Sequence, residues 1–192
     1  MWSSEVTNMI ITGIWETLYM TLVSTLVGYV IGLPMGIILT VSDKDGIKPN
    51  AVLYKILDVI ANIVRSVPFI ILLVLLIPFT RLVVGKSYGS TATIVPLVIA
   101  AAPYIARMVE SSLKEVDPGV IEAAKAMGSS PWQIIYKVIL PEAKPSLLVG
   151  GTITLATILG YSAMAGFVGG GGLGAIAVNY GYYRYQTDVM FV

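Results

Sequence analysis

Neither cysteine nor histidine occurs in this chain. The lack of cysteine excludes disulfides and thiol nucleophiles, and the two absences together exclude zinc sites built from Cys and His. Without histidine the commonest general base is missing too. Carboxylates could still bind metal, but no pair stands at ligand spacing. Charge is scarce: 12% of the 192 residues are charged and the net charge is +1. No basic run is present, so nothing recruits a phosphate backbone, and nucleic acid is not an expected partner. No Gly-x-x-x-x-Gly-Lys-Ser/Thr pattern occurs either, which excludes ATP binding of the Walker A kind by this chain. The first residues, Met1-Trp2-Ser3-Ser4-Glu5, offer no Lys or Arg ahead of the first apolar stretch, unlike a usual cleaved signal peptide.

Apolar residues fill the space that charge leaves. They make up 56% of the chain, and the mean hydropathy is +0.85. A soluble domain is typically about 45–50% apolar and about 25% charged. Too little polar surface remains to cover a soluble particle, so lipid is the expected solvent. The length suits one domain over residues 1–192.

A spanning helix needs about 20 mainly apolar residues. The pattern predicts spans near 18–41, 53–80, 91–108 and 147–168, with a short interfacial helix over Thr7 to Trp15. Gly28, Gly32, Pro34, Pro96 and Pro103 fall inside spans, where they are better tolerated than in soluble helices. Short loops are expected at 42–50 and 81–89, and a long polar stretch at 109–144. A glycine-rich segment, 166–174, leads to four tyrosines, Tyr180, Tyr182, Tyr183 and Tyr185, which suit a membrane–water interface. The chain reaches Val192 as a new apolar run begins, which reads as a truncated fifth span.

Lys44, Lys48 and Lys55 flank the first break, and Arg107, Lys114, Lys125, Lys137 and Lys144 populate the long stretch. The other side holds only Arg81, Lys86 and Arg184. The positive-inside rule therefore places 42–50 and 109–144 in the cytoplasm and the N-terminus outside. Three spans before the long stretch give the same parity.

The long stretch has an internal order. Asp117 is a suitable N-cap and Pro118 a suitable first residue for a short helix that runs to Met127. Gly128 is placed to stop it in the left-handed conformation. Ser130-Pro131 repeats the start signal for a second short helix to about Ile139, after which Pro141 opens the fourth span. By shape alone the first helix could lie on headgroups or dock on a partner.

Glu122-Ala123-Ala124, then Gly128, Val138 and Leu140-Pro141, resembles the EAA signature of ABC importer permeases: Glu-Ala-Ala, three residues, Gly, nine residues, Ile, one residue, Leu-Pro. Every spacing matches, and Val138 for Ile is the one departure. The Arg65-Ser66-Val67-Pro68-Phe69-Ile70 stretch and the segment 168–174, followed by Asn179 to Tyr182, resemble the methionine importer permeases within that family. The resemblance covers nearly the whole chain. It implies an all-α type I permease core of five spans, with a cytoplasmic coupling helix between spans 3 and 4, in a bacterial inner membrane. It also implies the partners: a second copy, two ATP-binding subunits that carry ATP and Mg, an external substrate-binding protein, and lipid. Glu122, Ala123, Ala124, Gly128, Leu140 and Pro141 would then couple the ATPase to the spans.

Within the spans, Asp58, Asn62 and Arg65 share one helix face at i, i+4, i+7. They form either a polar seam near a translocation pathway or an interfacial, snorkelling set. Tyr161, Ser162 and Met164 are pathway candidates late in the fourth span, with ordinary helix packing as the plain alternative for Met164. Two other classes stand beside the importer. A membrane enzyme would need a nucleophile–base set that this composition scarcely allows. An ATP-independent channel or secondary transporter would work without an ATPase, and no inverted repeat is visible. A permease for another amino acid or small solute is a third possibility.

Overall fold

A computed structural model describes residues 4–190, and among these the chain is helical with no strand. The elements are α1 (Ser4–Ser42), α2 (Ala51–Ser66), α3 (Phe69–Leu75), α4 (Ile77–Val84), α5 (Ser90–Lys114), α6 (Pro118–Ala126), α7 (Pro131–Ile134), α8 (Leu140–Glu142), α9 (Lys144–Met164), α10 (Gly172–Ile176) and α11 (Thr187–Met190). π-helical turns at Ile135–Ile139 and Ala177–Tyr182 and a 3₁₀ turn at Ala165–Val168 join some of them. Three helical stretches, Ser4–Ser42, Ser90–Lys114 and Lys144–Tyr182, are long and apolar enough to cross a membrane.

Several expectations need correction. The separate helix over Thr7 to Trp15 does not exist: α1 is continuous from Ser4, because Gly13 is seated against Leu173 and Ile176 instead of breaking it. At 39 residues α1 is about 58 Å long, well beyond a hydrocarbon core of about 30 Å. The second span is not one straight helix either. α2 and α3 meet at a bend of 101°. Pro68 causes it, since the residue before a proline is pushed out of the α region and Pro68 itself is extended at φ −54°, ψ 134°. The loop expected from Arg81 starts only at Gly85, which caps α4 in the left-handed conformation. The expected fifth span beyond Val189 falls largely outside the described residues.

The described residues form two compact units. In the unit made of 4–27, 67–101 and 155–190, the glycine-rich turn is held from three elements. The Glu16 carboxylate accepts from the Gly172 N–H at 2.7 Å, and the Thr17 hydroxyl oxygen accepts from the Leu173 N–H at 2.9 Å. The Thr93 hydroxyl donates to the Gly170 carbonyl at 3.2 Å, and the Gly89 N–H to the Gly169 carbonyl at 2.8 Å. Phe69 stacks on Tyr161 with ring centroids 4.5 Å apart.

In the unit Gly28–Ser66 with Ala102–Thr154, α1 and α5 run parallel in close contact. A Cβ at Gly32 would stand 2.7 Å from the Ala102 carbonyl oxygen and 2.7 Å from the Ile105 Cβ, and one at Gly36 would stand 2.6 Å from the Ala106 carbonyl oxygen. Only glycine permits that approach, as in other small-residue helix contacts in membranes. α9 returns antiparallel to α5: Ser146 donates to Ser112 at 3.0 Å, and Gly150 faces Met108 four residues on. Leu39, Ile105, Ala106, Val109 and Leu113 are buried along this seam.

Candidate functional site

α6 forms where its caps require. The Asp117 carboxylate accepts from the Gly119 N–H at 2.6 Å, and Pro118 occupies the first turn. Gly128, at φ +78°, ends the helix as expected, and its N–H reaches the Lys125 carbonyl at 2.9 Å. Ser130 and Gln133 then close a full capping box on α7.

The residues of the signature separate by face. Glu122 and Ala123 are exposed, whereas Ala124 is buried within its own unit. Leu140 is half-buried and Pro141 exposed at the start of α8. Met127 and Trp132 are 79% and 72% exposed, and Val120 and Tyr136 join them, so α6 and α7 present large apolar side chains outward. A cavity of about 450 Å³ separates α6 from the turn after α1; its lining includes Asp43, Asp45, Gly46, Ile121 and Glu122. The 42–50 turn and the long polar stretch therefore share one end of this unit.

Beside that end lies a charged network that the sequence reading missed. Glu110 is only 4% exposed. Its carboxylate accepts from the Tyr54 hydroxyl at 3.2 Å, from Arg107 at 2.7 Å and from Lys114 at 2.8 Å. Arg107 also pairs with Asp58 and donates to Asn62 at 3.3 Å, and Asn62 donates to Asp58 at 3.1 Å. Lys114 pairs with Asp43 at 2.6 Å. Its hydrogen bond holds the Asp43 carboxyl below the usual carboxylate range, against a smaller opposing effect of burial. The spacing of Arg107, Glu110 and Lys114, i, i+3, i+7, was the available signal, since such residues share a helix face.

The pathway candidates divide between the two units. Asp58 and Asn62 belong to the network, while Arg65 is exposed in the last turn of α2 and outside it. In the other unit Tyr161 stacks on Phe69, buried Ser162 donates to the Leu159 carbonyl at 2.7 Å, and Met164 is exposed.

Comparison with known proteins adds an independent line. Residues 28–190 match the family described as binding-protein-dependent transport system inner membrane component. The chain is 49% identical, over 100% of its length and 85% of the relative's, to the probable D-methionine transport system permease protein MetI of Vibrio cholerae. It is 56% identical to the D-methionine transport system permease protein MetI of Escherichia coli, over 82% of this chain and 73% of that protein. It superimposes on a chain of the MetNI methionine ABC transporter in an inward-facing conformation with a TM-score of 0.97 and 54% identity, covering 99% of this chain and 88% of that one. An amino acid ABC transporter crystallised with histidines shares the fold at a TM-score of 0.77 and 23% identity, over 97% of this chain and 84% of that one.

Proposed function

Because the chain belongs to the inner membrane components of binding-protein-dependent transport systems, we infer that it is the permease subunit of an ATP-driven methionine importer. The observation that carries this reading is the TM-score of 0.97 at 54% identity to a chain of a methionine ABC transporter. In the proposed assembly two copies of the chain form the passage. Two ATP-binding subunits supply ATP and Mg, and an external binding protein delivers the substrate.

α6 is the proposed contact with the ATP-binding subunit. Its exposed face carries Glu122, Ala123 and the apolar Met127. A small residue at 123 admits close approach, Glu122 offers charge to a basic partner, and burial of Met127 and Trp132 would supply apolar area. Ala124, Leu140 and Pro141 act from the chain's own side, by seating α6 and starting the return helix. Gly128 sets the angle between α6 and α7. Tyr161, Ser162 and Met164 are the proposed pathway residues, where a flexible thioether suits an apolar substrate chain.

The test is reconstitution of the permease, ATP-binding subunit and binding protein in proteoliposomes. Methionine uptake that requires ATP and all three components is the expected result. Glu122→Lys should insert normally yet lose most uptake, because it presents a like charge to a basic partner. Failure of the permease to associate with the ATP-binding subunit rejects the importer. Uptake of a different amino acid, with methionine excluded, rejects the substrate.

A further inference from the structure

The charges in the second unit form an unbroken alternating line: Asp58, Arg107, Glu110, Lys114, Asp43. The line joins α2 to α5 and then to the residue that follows α1. Each interior member has a neighbour of opposite sign on both sides. Rupture at any point would therefore leave a partly or fully buried charge unpaired, which is far more costly than losing a surface pair.

α2 depends on this line to an unusual degree. Its only buried residue is Ala61. One face carries Val52, Ile56, Val59 and Ile63, all exposed. The opposite face carries Tyr54, Asp58 and Asn62, which bind Glu110 and Arg107 on α5. α2 is thus fastened to α5 chiefly by polar bonds. In contrast, α1 and α5 are fastened by direct backbone approach at Gly32 and Gly36.

The other end of the line meets the docking segment. Lys114 is the last residue of α5, and Asp117, three positions on, caps α6. A displacement of α6 acts first on the turn of α5 that carries Lys114 and Glu110. We propose that this line of five charges is a positioning relay that makes α2 follow α6 during the transport cycle. Arg107 is the critical member, because its planar fork holds Asp58 and Glu110 at once. α2 in turn leads directly into the bend before α3, so its movement acts on that break. The inference rests on the importer reading above, since the relay has a task only if α6 is moved by a partner.

The test uses the complex of permease and ATP-binding subunit in nanodiscs. The chain has no cysteine, so Ile60→Cys, exposed on α2, accepts one spin label without further changes. With the relay intact, trapping with ATP and vanadate should alter the label spectrum. Arg107→Gln removes the charge that stands between the Asp58 and Glu110 carboxylates, and is expected to lose most of that response. In liposomes it should also spend at least ten-fold more ATP per methionine imported. Asp58→Asn, which cuts the line at its α2 end, should lose the response likewise, whereas Lys44→Gln, which removes an exposed charge paired with Asp45 outside the line, should leave it intact. A full response in Arg107→Gln or in Asp58→Asn, or no response in the unaltered relay, overturns the proposal. The label experiment needs only ATP and its subunit, so it decides the relay whatever the solute. Methionine uptake by the unaltered complex decides the substrate on its own.

Discussion

Asp43 shows how one side chain ties a loop to a helix end. It follows the last residue of α1, and its carboxylate meets the Lys114 ammonium at 2.6 Å. Its pKa is held below the ordinary carboxylate value, mainly by that hydrogen bond. A depressed folded pKa means that the contact stabilises the protein in full above the unfolded value of about 4 and loses that contribution as pH falls through it toward the folded value. Thermal melting of the purified permease in detergent should therefore fall more steeply below about pH 4 for the native chain than for Asp43→Asn. At neutral pH the Asn variant should be the less stable of the two. Parallel acid limbs for the two proteins would remove Asp43 from the network's energetics.

At the scale of elements, much was legible because local chemistry decided it. Asp117-Pro118 and Gly128 marked both ends of α6, and the structure places a carboxylate cap and a left-handed residue there. The break in the second span was written at Pro68 but was hidden by a hydropathy average that runs smoothly across it. The continuity of α1 through Gly13, and the network around Glu110, needed tertiary neighbours that no local pattern contains. Gly128 offers a clean test of the local part. A Cβ there meets no atom within 4 Å, so substitution tests the backbone alone. Gly128→Val should cost about 1–3 kcal/mol through the positive φ, and Gly128→Asn less, because Asn tolerates that region. Melting curves and binding to the ATP-binding subunit would both report it. Indistinguishable Gly and Val forms would mean that the turn between α6 and α7 reshapes freely and does not fix the angle of α6.

For the whole molecule, the direction of the helices constrains the path through the membrane. α1 and α5 are parallel where they touch, since Gly32 meets Ile105, Gly36 meets Val109 and Asp43 meets Lys114. Two parallel spans require the chain to return between them. The bent pair α2–α3, continued by α4, is the only segment available for that return. α1, this return and α5 are expected to make three crossings before α6, the parity that the charge count also predicts. Lys44, Lys48, Lys125 and Lys137 gather in the turn after α1 and in the α6–α8 stretch, so the positive-inside rule assigns that end to the cytoplasm. The same rule predicts that the N-terminus and the turn at 85–89 lie outside. Single cysteines report this directly, because the chain supplies none of its own. In intact right-side-out cells, a membrane-impermeant maleimide should label Tyr88→Cys, which is 68% exposed. Ser129→Cys, just beyond α6, should be labelled only after the membrane is opened. Labelling of Ser129→Cys from outside would reverse the orientation. Labelling of both from outside would mean that α5 does not cross, and the three-crossing path would have to be abandoned.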